Sequence, residues 1–315
     1  MSIGKSVRLF LAEGTPGGLL TAEIMNWTGH VTAAPRSDLA ALLARPEVRR
    51  TGVYILLGDD PDGLSGHMAY IGEGDVVRKR LYDHGRPEDQ GGKDFWDRAI
   101  VLTSKDANLT KAHVRYLESR LLEIATQAQR ARITNETSPP RLALPEADVS
   151  DMEYFLDQAK IVLPVLGVNI FRSVVTPPSS GPSRTGPQTE TTVFEMTLKR
   201  IGLTATAQEV DGEFTVLEGS RARRKWAGVE NHSYAGLRAK LEQDGTLAPS
   251  PDAASMHFTR NYVFNSPSAA AAIVAGRAAN GRTEWLVQGK RTTYGQWETQ
   301  GIDEAMTSQQ EQDDL

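Results

Sequence analysis

Cysteine is absent from all 315 residues of the chain. Its absence excludes disulfides, cysteine-ligated zinc and thiol nucleophiles together, and suits a reducing compartment. Long apolar runs are missing too. No stretch approaches the roughly 20 residues that a membrane span requires, and the opening segment MSIGKSVRLF has no signal-peptide core. The expectation is a cytoplasmic protein with no membrane partner. A strong charge of either sign is also lacking. The net charge of −5 on its face speaks against a nucleic-acid partner. Residues 302–315, IDEAMTSQQEQDDL, hold five acids and no Lys or Arg; setting those five negative charges aside brings −5 to zero. That polar tail reads as disordered, and any affinity for DNA has to come from local patches.

What is present suits a globular protein of two domains: 39% apolar and 24% charged residues. The clearest boundary is SVVTPPSSGPSRTGPQTETT, residues 173–192, a Pro/Ser/Thr-rich linker made partly stiff by its prolines. It separates a front part from a back part, 193–301. Within the front part, residues 1–50 form an extension that reads as a β-hairpin and a short helix, SDLAALLA, capped by Ser37 and packed on the domain that follows, where the hairpin extends its sheet or holds DNA. In residues 51–172, TGVYILLG and HMAYIGEG read as strands joined by the polar loop DDPDGLSG. DVVRKRLYDHG reads as a helix capped by Asp75 and ended by Gly85, WDRAIVLTS as a third strand. LTKAHVRYLESRLLEIATQAQR is a long helix capped by Asn108, and DMEYFLDQAKIVLPVL is a further helix. The back part mixes strands with helices. Ser266 caps an alanine-rich helix with Pro267 in its first position, and Asn280–Gly281 supplies a turn.

Several polar residues converge in the front part. Tyr54 and Tyr70 sit one in each of two adjacent strands. Arg80 and His84 are four apart, hence on one helix face. Glu118 lies within or beside the apolar stripe Val114, Leu117, Leu121, Ile124 of the long helix, where a carboxylate needs a partner. Asn135 follows that helix. Each has a plainer reading. The tyrosines can be a cross-strand core pair. Arg80 can share a solvated face with Arg78 and Lys79, and His84 can be a C-terminal helix cation. Glu118 can pair with Arg115 or Arg120, and Asn135 can be a turn residue.

In this order and spacing, GVY…YIG, Arg80, His84, Glu118 and Asn135 together resemble the GIY-YIG nuclease superfamily, over about residues 50–136. The resemblance implies an α+β fold, with a small antiparallel three-stranded sheet flanked by helices, joined here to a second small α+β domain. It also implies metal-dependent hydrolysis of a DNA phosphodiester, with Mg²⁺ (or Mn²⁺) as cofactor. In its terms Glu118 is the metal ligand and Arg80 binds the scissile phosphate. Tyr54 and Tyr70 position or activate the water, His84 assists them, Asn135 supports the site and Gly72 is the motif glycine. The chain departs from the pattern in the valine of GVY and in its long inter-strand loop.

The residue chemistry agrees with that reading. A hard cation on one carboxylate neutralises phosphoryl charge and acidifies water, and a guanidinium clamps phosphoryl oxygens. A free tyrosine, with a pKa of about 10, needs about 4 kcal/mol of phenolate stabilisation to act as a base at pH 7. The favoured arrangement is Tyr54 at the water with His84 bonded to it, the choice of general base remaining open.

The stretch FNSPSAAAAIVAGRAANGRTEW resembles a small C-terminal module of unknown biochemical role found on nucleases and restriction-associated proteins. Arg223, Arg224 and Lys225 beside Trp226 are its candidate DNA contacts, joined in the front part by Arg78 and Lys79. The alternative is a solvated loop whose tryptophan packs inward. For the whole chain the alternative is a nuclease fold that binds nucleic acid without turnover. Cutting both strands with one site needs a homodimer or two visits.

Overall fold

A computed structural model describes residues 4–60, 67–136, 142–172, 192–210, 212–228, 233–251 and 254–300. The loop tip at 61–66, nearly all of the expected linker and the acidic tail lie outside the described residues. The chain divides into two compact units, Met1–Ser173 and Val174–Leu315. Both are α+β.

The N-terminal extension continues the sheet of the first unit. β1 (Val7–Leu11) pairs with β2 (Leu20–Ile24), and β2 with β3 (Gly29–Pro35). A turn of 3₁₀ helix, Arg36–Asp38, leads into α1 (Leu39–Ala44). Ser37 does not cap α1; its hydroxyl donates to Asp38. β4 (Gly52–Asp59) and β5 (His67–Gly74) pair antiparallel along their whole length, Gly52 opposite Gly74 and Asp59 opposite His67. α2 (Val77–Gly85) follows. Asp75 does not cap it. The Val77 amide donates to the Arg50 carbonyl at 3.3 Å, and the Asp75 carboxylate faces Lys111 at 3.4 Å.

β6 (Arg98–Ser104) lies between β3 and β4. α3 (Lys111–Ala128) is capped by Thr110, whose hydroxyl accepts the His113 amide while His113 Nδ1 accepts the Thr110 amide. Asn108 instead donates to Asp106. β7 (Arg132–Ile133) adds parallel to β5, and α4 (Glu146–Val165) begins five residues before the expected start at Asp151.

The sheet therefore has seven strands, in the order β1-β2-β3-β6-β4-β5-β7, instead of three. The reason is the seven-residue register of β3 on β6, which joins the extension to the centre. Apolar side chains fill both faces. Ile55, Ile71 and Ile100 pack with Val114, Leu117 and Phe155 in one cluster. Tyr54, Leu56, Val77, Leu81 and Trp96 form the other. β7 pairs only with Met68 and Ala69, so among the described residues no strand pairs with the outer edge of β5 from Tyr70 onward.

In the second unit β8 (Val193–Leu198), β9 (Leu203–Val210) and β10 (Glu213–Val216) form the centre of a five-stranded sheet. A three-stranded sheet holds β11 (Arg221–Arg223), β12 (Leu247–Pro249) and β13 (Ser255–Phe258), with α5 (Ser233–Gln243) between β11 and β12 in sequence. β14 (Tyr262–Phe264) and β15 (Leu286–Val287) are the edges of the larger sheet. α6 (Pro267–Ala275) starts as expected: the Ser266 hydroxyl accepts the Ala269 amide, and the alanine run is buried. Asn280 is not a hairpin turn. It caps a short helix, α7 (Gly281–Glu284), pressed so close to α6 that a Cβ on Gly281 would meet the Pro267 backbone at 2.2 Å. Trp285 closes this corner by donating its indole N–H to the Pro267 carbonyl.

Candidate active site

Most of the expected residues gather around β4, β5 and α2. The antiparallel register of β4 on β5 puts Tyr54 opposite Gly72, and only a glycine fits there: a Cβ on Gly72 would stand 2.4 Å from Tyr54 Oη. Tyr54 is wholly buried and its Oη lies 2.8 Å from His84 Nε2. Its ring packs against Tyr70 and the His84 imidazole. His84 is fixed from behind, since the Trp96 indole and the Lys93 amide both donate to its carbonyl.

His84 Nδ1 is buried and has no hydrogen-bond partner. An unfilled lone pair is cheaper to bury than an unfilled N–H, so the favoured tautomer carries its proton on Nε2 and donates it to Tyr54. Tyr54 in turn is hydrogen-bonded to Tyr70, which is half-buried and forms the solvent end of the chain. Burial pushes both phenols above the ordinary tyrosine range, and the neighbouring Tyr70 pushes Tyr54 further. Burial, then the Lys93 ammonium and the Arg80 guanidinium, push His84 down to about 4. Tyr54 has no exposed surface to offer a solvent molecule, whereas Tyr70 has, and the lowered His84 holds a proton only weakly.

Arg80 lies one turn before His84 on α2, its Nε donating weakly to the Glu73 carbonyl at 3.4 Å. Its two terminal nitrogens bond to nothing among the described residues, and the side chain is exposed. Glu118 is half-buried on α3 and likewise has no hydrogen bond or ion pair; Arg120 is taken by Glu123 and Glu153. Burial, and then the carboxylate of Glu73, push Glu118 up to about 7, against the opposing pull of Arg80, Lys111 and Arg115. Asn135 has spent its amide: it accepts the Ile71 N–H at 3.0 Å and donates to the Ile71 carbonyl at 2.6 Å. It completes the strand pairing where β7 ends, so its place is structural support between Tyr70 and Gly72.

Three charged residues beside this group were not singled out in the sequence. Lys93 sets its ammonium 4.4 Å from the centre of the Tyr70 ring. Glu73 and Lys111 form an ion pair of 2.7 Å. Glu73 could have been noticed as an acid inside the YIGEG strand.

Of the expected DNA contacts, Arg78 and Lys79 are exposed on α2 without an ion pair among the described residues. In the second unit Arg224 and Lys225 are exposed, whereas Arg223 packs over Gly276 and Trp226 is half-buried. The backbone of this cluster is held by a buried arginine that sequence reasoning passed over: Arg238 donates to the carbonyls of Arg223, Arg224 and Ile273.

Residues 194–298 match the family model of a domain of unknown function (DUF4357). The match covers most of the second unit, agrees with a module of unknown role, and leaves residues 50–136 uncovered. No curated protein and no solved structure matches the chain. Among the described residues no helix is long and apolar enough to cross a membrane.

Proposed function

We propose that the first unit is a divalent-metal-dependent endonuclease that hydrolyses DNA phosphodiester bonds, and that the second unit directs it to its target. The observation that carries this reading is the half-buried Glu118, without a hydrogen bond or ion pair among the described residues, close enough to feel the charge of Arg80 and, with Arg80, to act on the Tyr54–Tyr70–His84 chain. A carboxylate left without a partner in partly dry surroundings is costly, and a cation relieves that cost.

The donor set suits a hard cation. Glu118 would hold Mg²⁺ or Mn²⁺ through oxygen, and Mg²⁺ sites commonly use only one or two carboxylates, with waters and substrate phosphate completing the shell. Among the described residues no group of three or more acidic or histidine side chains could hold a metal ion, so Glu118 would be the protein's one assigned ligand. When bound, the cation would supply charge neutralisation at the phosphate and a more acidic water.

The remaining roles belong to the chain. Arg80 holds the phosphoryl oxygens through its free nitrogens and stabilises the charge that builds on them. Tyr70 orients the water, and Tyr54 and His84 fix the Tyr70 hydroxyl through the hydrogen-bonded chain. The Lys93 ammonium on the Tyr70 ring favours negative charge at that oxygen. Arg78, Lys79, Arg224 and Lys225 are the exposed cations for the DNA backbone. A homodimer, or two successive visits, accounts for cutting both strands.

The test is supercoiled plasmid with Mg²⁺, comparing the parent chain with Glu118→Gln. Nicking or linearisation by the parent and a loss of about two orders of magnitude in the variant is the expected result. Equal cleavage by both assigns the activity elsewhere. Retention of DNA without cleavage by the parent turns the reading into that of a binding protein on a nuclease fold.

A further inference from the structure

Tyr82 stands on the outer side of α2, 60% exposed, with no ring contact and no hydrogen bond among the described residues. Val77 and Leu81 carry the face that α2 buries, which leaves the rest of its circumference to polar side chains and to this phenol. At about 100° per residue, Arg80 and Tyr82 project roughly 200° apart, from opposite flanks of the helix. Lys79 stands on the crest between them, and Arg78, one turn before Tyr82, shares its flank. Beyond Arg78 the helix packs on the 3₁₀ turn Glu47–Arg49, where the Arg50 carbonyl accepts the Val77 amide and Arg49 is exposed. A row of exposed cations therefore crosses the N-terminal half of α2, from Arg80 over Lys79 to Arg78 and Arg49, and none of the four has an ion pair among the described residues. The acids around it are taken or set aside. Glu47 is paired with Arg45 and Asp75 with Lys111, Asp83 stands one turn after Lys79, and Glu88 and Asp89 lie past the end of the helix.

We propose that this side of α2 is a track for a single strand on which Tyr82 stacks an unpaired base, so that the substrate class of the nuclease is DNA with unpaired bases beside the scissile phosphate. This rests on the reading of Arg80 as the clamp on that phosphate. Cations alone suffice to hold the backbone of a paired duplex. A bare aromatic ring among them serves a base, and a base offers its π face only where it is unpaired or unstacked. The distances agree. The helix is about 10–12 Å across with its side chains, so a strand advancing roughly 3.4 Å per nucleotide brings about the third base from the phosphate at Arg80 onto Tyr82.

The experiment is fluorescence anisotropy with the full chain, Ca²⁺ replacing Mg²⁺ so that binding is read ahead of cleavage. Two DNAs are compared: a duplex with a short unpaired stretch that holds a fluorescent purine analogue, and the same duplex fully paired. The parent is expected to prefer the first by about tenfold and to quench the analogue by stacking. Tyr82→Ala is expected to lose the preference and the quench while binding the paired duplex as the parent does. Tyr82→Phe keeps the ring without the hydroxyl and is expected to retain both. Alanine suits an exposed helix position, and unchanged binding of the paired duplex reports an intact fold. If the parent binds both DNAs alike, if Tyr82→Ala keeps the preference and the quench, or if Tyr82→Phe loses them, the inference fails; with Glu118→Gln still deficient in cleavage, the nuclease reading stands. If the parent binds neither DNA, that reading loses its substrate and the inference fails with it.

Discussion

Gly72 faces the Tyr54 ring across β4 and β5 so closely that a methyl group there would stand 2.4 Å from the phenol oxygen and 2.5 Å from the carbon bearing it. Neither partner has room to yield. Tyr54 is wholly buried and bonded to His84, and Gly72 lies in a continuous strand ladder. Gly72→Ala is therefore expected to cost about 1–3 kcal/mol, the range for overpacking a core, and to break the Tyr54–His84 contact. Denaturant melts would give the first quantity. The imidazole NMR shifts of His84 would give the second, and unchanged shifts would refute it.

Glu118 and His84 titrate in overlapping windows with opposite effects on stability. Glu118 is raised from 4.5 to about 7 by burial and by Glu73, so the folded chain holds its proton more tightly than the unfolded chain does. Its contribution is present below pH 4.5 and is lost as pH rises through about 7. His84 is lowered from 6.5 to about 4 by burial, Lys93 and Arg80. Its contribution is present above pH 6.5 and is lost as pH falls through about 4. In the parent the two slopes oppose each other. Glu118→Gln is expected to leave a stability that rises with pH between about 4 and 6.5. His84→Gln is expected to leave one that falls between about 4.5 and 7. Each slope spans at most about 3.4 kcal/mol, and less for the half-exposed Glu118 because solvent screens it, read from chemical denaturation at a series of pH values. Parallel slopes in the two variants would contradict the assignment.

Asn135 carries a different kind of weight. Its amide forms two hydrogen bonds with Ile71, a residue with no exposed surface. Asn135→Ala leaves an N–H and a carbonyl on β5 unpaired beside Tyr70, at a cost of about 1–3 kcal/mol. Amide hydrogen exchange at Ile71 should speed up more than at Ile55 in the adjacent strand. Equal protection of both amides in the variant would show that the edge is closed by something else.

Local chemistry made part of this site legible. The strand patterns placed Tyr54 and Tyr70 in two adjacent strands, and the helical spacing of four joined Arg80 to His84, whereas the register that sets Gly72 opposite Tyr54 comes from the β4–β5 pairing. The start of α6 was readable because Ser266, Pro267 and the alanines all favour the same conformation. The start of α3 was not: Asn108 and Thr110 both suit a cap, and the choice went to Thr110 because Asp106 engaged Asn108 and His113 completed the box. Asp75 was lost as a cap for a tertiary reason, its ion pair with Lys111. Lys93 and Lys111 were invisible for the same cause, and Glu73, visible as an acid inside a strand, gave no sign of its partner. Their partners come from other strands and helices, and no local pattern pairs them. The joining of the extension to the sheet also hangs on a long-range register, β3 on β6, that composition does not encode.

Arg80 offers the sharpest separation of binding from chemistry. Its Nε is tied weakly to the Glu73 carbonyl, while its terminal nitrogens stay free for two phosphoryl oxygens. A lysine keeps the charge but has no planar fork. Arg80→Lys is therefore expected to lower the cleavage rate by about 10²-fold or more. Its effect on DNA affinity should be small, because one phosphate contact contributes only about one unit to the salt slope. Arg78→Gln with Lys79→Gln should do the reverse, flattening the salt dependence by about two units and sparing the rate at saturating DNA. Cleavage kinetics at saturation, set beside fluorescence-anisotropy titrations at several salt concentrations, distinguish the two. A lysine at position 80 that cleaves at the parental rate would remove Arg80 from the chemistry and leave it as one more contact to the backbone.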